Sequence, residues 1–119
     1  MGPAPADPRW PEADPLDIRP YLQKGKNVLA AEVLYFGLGD GTSPIGKPGF
    51  ICKLEVGNRL VASDSTWLVS VARSWPAGQY KRHYVRAFQE EFDANRYPDG
   101  WRQADYTPGS EWVSAMELG

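Results

Sequence analysis

The chain has 119 residues, the length of one ordinary domain, and carries thirteen basic against fifteen acidic side chains for a formal net charge of −2. That balance argues against nucleic-acid binding, which concentrates positive charge to neutralise phosphates. Its 13% aromatic content, twelve glycines and eleven prolines exclude a disordered linker or a set of long helices, and favour a β-rich domain with many turns.

In chain order, residues 1–15 ("MGPAPADPRWPEADP") hold five prolines and form neither a central strand nor a helix interior. They are expected to pack on the body of the domain, residues 16–119, with Trp10 against its surface or lining a site. "DIRPYL" predicts a single helical turn, with Asp17 accepting backbone N–H groups and Pro20 tolerated near its start. "KGKN" is a turn, and "VLAAEVLYF" is an apolar run of strand length. Residues 37–49 form a long Gly/Pro loop. It lacks the Gly-Lys-Ser/Thr ending and the full Gly-x-Gly-x-x-Gly spacing of phosphate-binding loops, and the acid pattern of a calcium hand.

"FICKLEV" alternates, with Phe50, Cys52, Leu54 and Val56 on one face and Ile51, Lys53 and Glu55 on the other. "GNR" reads as a hairpin turn, "LVASD" as the returning strand and "TWLVSVA" as a further strand. At least four short strands without a long helix point to an all-β antiparallel sandwich or barrel. Beyond residue 75 the chain is irregular and aromatic. Tyr80, Tyr84 and Phe88 suit one face of a helix or of a strand, and spacing does not separate the two.

No stretch approaches the roughly 20 apolar residues of a membrane span, and no signal peptide is visible. Cys52 is the lone cysteine and His83 the lone histidine, so neither a zinc cluster nor an internal disulfide is expected. Cys52 is expected to be a small buried side chain. No cofactor, metal or catalytic residue is assigned.

The candidate chemistry centres on residues 90–101, "EEFDANRYPDGW". Glycosidases pair two carboxylates about 5 Å apart for retention or about 6.5–9.5 Å for inversion, and Glu91 and Asp93 share a strand face. The blander reading is an acidic loop bonded to backbone or to Arg96, whose guanidinium fork freezes the irregular chain. Trp10, Trp75, Tyr97 and Trp101 sit among turn residues, where aromatic rings either stack on sugar C–H faces or fill a small core. The candidate carbohydrate or interdomain contacts are therefore Trp10, Trp75, Glu91, Asp93, Arg96, Tyr97 and Trp101.

The order of these pieces resembles a known module. "DIRPYLQKGKNVLAAEV" looks like the Asp-Ile/Val-Thr…Leu-x-x-Gly-x-Asn-x-Leu/Ile-Ala run of galactose-binding-like jelly rolls, with Gly25 and Asn27 forming the turn into a strand from Val28. "ASDSTWLVS" looks like the Thr/Ser-Asp-x-x-Trp-x-x-Ser element, with Asp64 and Trp67 in place. "QEEFDANRYPDGW" is similar to the Gly-Glu-x-Tyr-Asp-Ala-Arg…Gly-Trp signature of accessory domains in bacterial α-L-rhamnosidases. Glu91, Phe92, Asp93, Ala94, Arg96 and Trp101 match it, while Gln89, Glu90 and the inserted Asn95 depart. "GSEW" matches the usual Asp-Asp-Ser-x-Trp ending only at Ser110 and Trp112.

This resemblance implies a noncatalytic β-sandwich of jelly-roll type that braces or borders an (α/α)₆ catalytic barrel in the same parent glycoside hydrolase. The barrel would carry the acid and base that remove terminal rhamnose. The family's opening strands are not found ahead of "GP" here, so a truncated jelly roll is expected. Its uncovered edge would be filled by another part of the parent or by self-association. A rhamnose-containing glycan is a further expected partner, and a bacterial periplasmic or extracellular setting is compatible with the resemblance. The alternatives are an independent carbohydrate-binding module and a protein-interaction domain.

Overall fold

The computed structural model describes residues 13–35, 46–78 and 90–118. The chain divides into two units, Met1–Gly49 and Phe50–Gly119. Trp10 and most of the segment 1–15 lie outside the described residues, as do His83 and the Tyr80/Tyr84/Phe88 set.

In the first unit the predicted turn is a 3-10 turn, Arg19–Tyr21. The Asp17 carboxylate organises it, accepting the Arg19 N–H at 3.0 Å and both Nε and Nη2 of the Arg19 guanidinium at 2.8 and 2.6 Å. Two backbone bonds close the turn, Tyr21 N–H to Ile18 C=O and Leu22 N–H to Arg19 C=O. Gly25 follows with φ +100°, a region that favours glycine. Asn27 holds this bend with its carboxamide. The oxygen accepts the Gln23 N–H at 3.0 Å, and Nδ2 donates to the Gln23 and Gly25 carbonyls at 2.9 and 3.1 Å. The strand expected over "VLAAEVLYF" does not form within residues 28–35, which pair with no ladder among the described residues and remain exposed. An apolar run supplies strand propensity, but a strand exists only where a neighbour takes its N–H and C=O groups. The Tyr35 hydroxyl instead donates to the Gly46 carbonyl at 2.7 Å.

The second unit opens with the predicted hairpin. Strand β1 is Lys53–Val56, strand β2 is Arg59–Ala62, and they pair antiparallel with Lys53 opposite Ala62 and Val56 opposite Arg59. Gly57 has φ +59° and Asn58 does not adopt a positive φ, the pattern of a type II′ turn, whose twist suits two-residue hairpins. Beyond the strand ends, Ser63 N–H donates to Cys52 C=O at 3.0 Å and Cys52 N–H donates to Ser63 Oγ at 3.0 Å. Cys52 is half-buried rather than buried, because among the described residues the sheet has two strands and nothing closes over that face.

Asp64 reverses the chain. Its Oδ1 accepts the Thr66 N–H at 2.9 Å and the Thr66 hydroxyl at 2.5 Å, while Trp67 N–H donates to Asp64 C=O. The run "TWLVSVA" then pairs over two residues only. Strand β3, Leu68–Val69, lies antiparallel to β4, Val113–Ser114, and Ala115 N–H extends the ladder to Trp67 C=O at 2.8 Å.

Among the described residues, then, regular pairing consists of two separate two-stranded antiparallel sheets, and no sandwich or jelly-roll topology is seen. No apolar side chain among them is buried, and Ser74 is the one that is. Polar turn ties and ring contacts hold these segments in place of a packed core.

Two outcomes follow. Gly57→Ala places a Cβ in open space, so its cost is the backbone strain of φ +59°, about 1 kcal/mol. The Ser63 amide, which sits at the far end of the hairpin, should exchange with deuterium several-fold faster in that variant. Hydrogen bonds from the Thr66 side chain, and then from its N–H, hold the Asp64 carboxyl below the ordinary aspartate range. A carboxylate depressed in the folded state stabilises fully above its unfolded pKa and loses that contribution as pH falls through the folded value. The Thr66 amide resonance should therefore hold steady from neutrality to about pH 4 and shift below it. In Asp64→Asn that acid step should be missing.

Candidate functional site

The segment 90–101 is organised from Asp93 outward. Asp93 is the N-cap of a second 3-10 turn, Ala94–Arg96, and has extended backbone angles as caps require. Its Oδ1 accepts the Asn95 N–H at 3.0 Å and Asn95 Nδ2 at 3.1 Å. Its Oδ2 lies 3.2 Å from Arg96 Nε. The Asp93 N–H donates to the Ser74 carbonyl at 2.8 Å, which ties this turn to the chain before the aromatic stretch.

That tie brings three rings together. Trp75 and Phe92 have centroids 4.8 Å apart, Trp75 and Tyr97 5.9 Å, and Phe92 and Tyr97 5.7 Å. The two contacts of Tyr97 are edge-on, the arrangement favoured by ring quadrupoles, and such pairs contribute about 0.5–1.5 kcal/mol beyond area burial. The polar tips are also used internally. Trp75 Nε1 donates to Glu90 Oε1 at 3.0 Å, and Trp101 Nε1 donates to the Tyr97 hydroxyl at 2.9 Å. Trp101 continues the cluster to Trp112 at 6.0 Å, whose Nε1 donates to the Tyr106 hydroxyl at 3.0 Å. The Arg102 guanidinium stands 5.9 Å from the Trp101 ring centroid, at cation–π range.

Of the sequence-derived candidates, Trp75, Asp93, Arg96, Tyr97 and Trp101 are brought into one connected group, and Trp10 lies outside the described residues. Glu91 is exposed. Both carboxylate oxygens of Asp93 are engaged within its own turn, Oδ1 by Asn95 and Oδ2 by Arg96. Sequence reasoning missed four members. Glu90 is the residue that engages the Trp75 indole, a contact spanning fifteen positions that no local pattern announces. Tyr106 and Trp112 were visible only as further aromatics beside turns. Ser74 is fully buried with its Oγ unpartnered, and its small polar side chain gave no signal. Among the described residues no three His, Cys, Asp or Glu side chains converge as metal ligands.

No protein-family model, curated protein or solved structure matches this chain.

The hierarchy within the turn is testable. Asp93→Ala removes the cap and the Arg96 partner together and should cost about 1 kcal/mol. Arg96 has a side chain 65% exposed, so Arg96→Ala should cost about 0.5 kcal/mol or less. Urea titrations followed by tryptophan fluorescence should rank the two in that order.

Proposed function

We propose that this chain is a noncatalytic accessory element that braces a larger protein body. In its specific form the reading is a jelly-roll-type accessory segment of a bacterial glycoside hydrolase of α-L-rhamnosidase type, bordering an (α/α)₆ catalytic domain. The specific form rests on the residue motifs around Gly25, Asn27, Asp64, Trp67 and 91–101 alone. One structural observation supports the bracing role. Many of the described apolar side chains lie open, including Val56, Leu60 and Val61 on the hairpin, 43, 60 and 45% exposed. Covering side chains of this size stabilises by about 1.5–3 kcal/mol each, and a lone two-stranded hairpin is marginal in water. Surfaces of this kind are completed by a partner body.

The aromatic group suits the same role better than a sugar platform. A platform presents a free ring face and polar groups converging on a groove. Here Trp75, Tyr97 and Trp101 spend their edges and polar tips on one another and on Glu90. Phe92, half exposed on the margin of the trio, is the ring available to a neighbour.

Two measurements on the 119-residue chain test this reading. Amide NMR titration with L-rhamnose and a short rhamnoside should leave the Trp75, Arg96, Tyr97 and Trp101 resonances unmoved at millimolar sugar. The chain should also enhance the fluorescence of an apolar-surface dye such as ANS. Saturable shifts at those residues would replace bracing with carbohydrate binding. A well-dispersed spectrum with no dye enhancement would remove the requirement for a partner body.

A further inference from the structure

The outer edge of β1 carries a self-complementary pattern. The Cys52 carbonyl accepts the Ser63 N–H and the Cys52 N–H donates to Ser63 Oγ, so the Cys52 backbone faces β2. Backbone groups alternate along an antiparallel pair, so Leu54 and Val56 also face β2, while the N–H and C=O of Lys53 and Glu55 point to the other edge. No strand among the described residues takes that edge. The side chains of Lys53 and Glu55 share one face, 2.7 Å apart as an ion pair, and are 65 and 68% exposed.

We infer that a second copy of this chain docks on this edge, with β1 antiparallel to its mate about a two-fold axis through Leu54. In that register Lys53 stands opposite the mate's Glu55 and Glu55 opposite the mate's Lys53. Each such pair exchanges both backbone N–H···O=C bonds, because these are the residues whose polar groups face outward. Leu54 meets Leu54 of the mate in the close, non-hydrogen-bonded position, and Cys52 meets Val56 on the same face. The result is a four-stranded antiparallel sheet ordered β2-β1-β1-β2, with two in-strand ion pairs merged into a ring of alternating charge.

Charge also selects the register. Moving the axis to Lys53 or to Glu55 keeps the hydrogen-bond parity but sets like charges directly opposite, which is unfavourable. Slipping the strand register by one residue, which sets Lys53 or Glu55 opposite a residue that faces β2, breaks the parity. An edge built only to repel strands would carry charge of one sign. This one alternates in the order that two-fold pairing requires. The contact is made through the backbone edge of β1 and touches only Val56 of the open side chains invoked for bracing, while Leu60 and Val61 lie on β2, away from the seam.

The test is sedimentation velocity on the full chain over a range of concentrations. The wild type should show a concentration-dependent monomer–dimer equilibrium that weakens as salt is raised. Lys53→Glu and Glu55→Lys each set like charges opposite in both cross-strand pairs, and each should weaken dimerisation about tenfold or more. An equimolar mixture of the two variants restores opposite charges at both pairs and should recover dimers. The double exchange Lys53→Glu/Glu55→Lys should dimerise like the wild type, which also controls for damage to folding from either single change. A wild type monomeric up to about 1 mM, single variants that dimerise unchanged, or a mixture that stays monomeric would each overturn the inference.

Discussion

Trp67 is the side chain on which the second unit depends. Its indole N–H donates to the Ala62 carbonyl at 2.9 Å, at the end of the hairpin, and its ring meets Phe50 at 6.0 Å. Its backbone carbonyl accepts the Ala115 N–H at 2.8 Å, which continues the β3·β4 ladder. One residue thus joins the hairpin to the second sheet through side chain and main chain at once. The Asp64 turn sets its position, because the two Thr66 donors and the Trp67 N–H all converge on Asp64.

The same economy recurs through the chain. Asp17, Asn27, Asp64 and Asp93 each gather nearby backbone donors, and each fixes a bend without help from a hydrophobic core. Such local ties contribute about 0.5–1.5 kcal/mol apiece and act over a few residues. They define the shape of each turn but do little to hold distant segments together. The bracing role proposed for the chain rests on that division: local order is built in, and on this proposal a partner supplies the long-range cover. The proposed edge pairing between copies draws on the same feature in another direction, since among the described residues the hairpin leaves an outer rim on each strand.

At the candidate site the acids divide their work. Asp93 caps, Glu90 orients an indole, and Arg96 leans on the cap as a largely exposed partner. The rings follow from this polar frame. With Asp93 N–H fixed to the Ser74 carbonyl, Trp75 and Phe92 come within 4.8 Å, and Tyr97 closes the trio from the far side of the 3-10 turn.

The sequence by itself determined the local features. Asp17, Gly25 with Asn27, the Gly57 hairpin and the Asp93–Arg96 pairing were all legible, because each is set by residues within a few positions of one another. Alternation in "FICKLEV" was enough to place β1, since its partner follows directly across a two-residue turn. The tertiary structure alone decided the pairings between distant segments. It joined Leu68–Val69 to Val113–Ser114, set Trp75 on Glu90 and Phe92, and left residues 28–35 without a ladder among the described residues despite their apolar run. The physical reason is that strand propensity is only a capacity to pair. Which segment supplies the partner depends on how the intervening chain returns, and no period within a single strand carries that information.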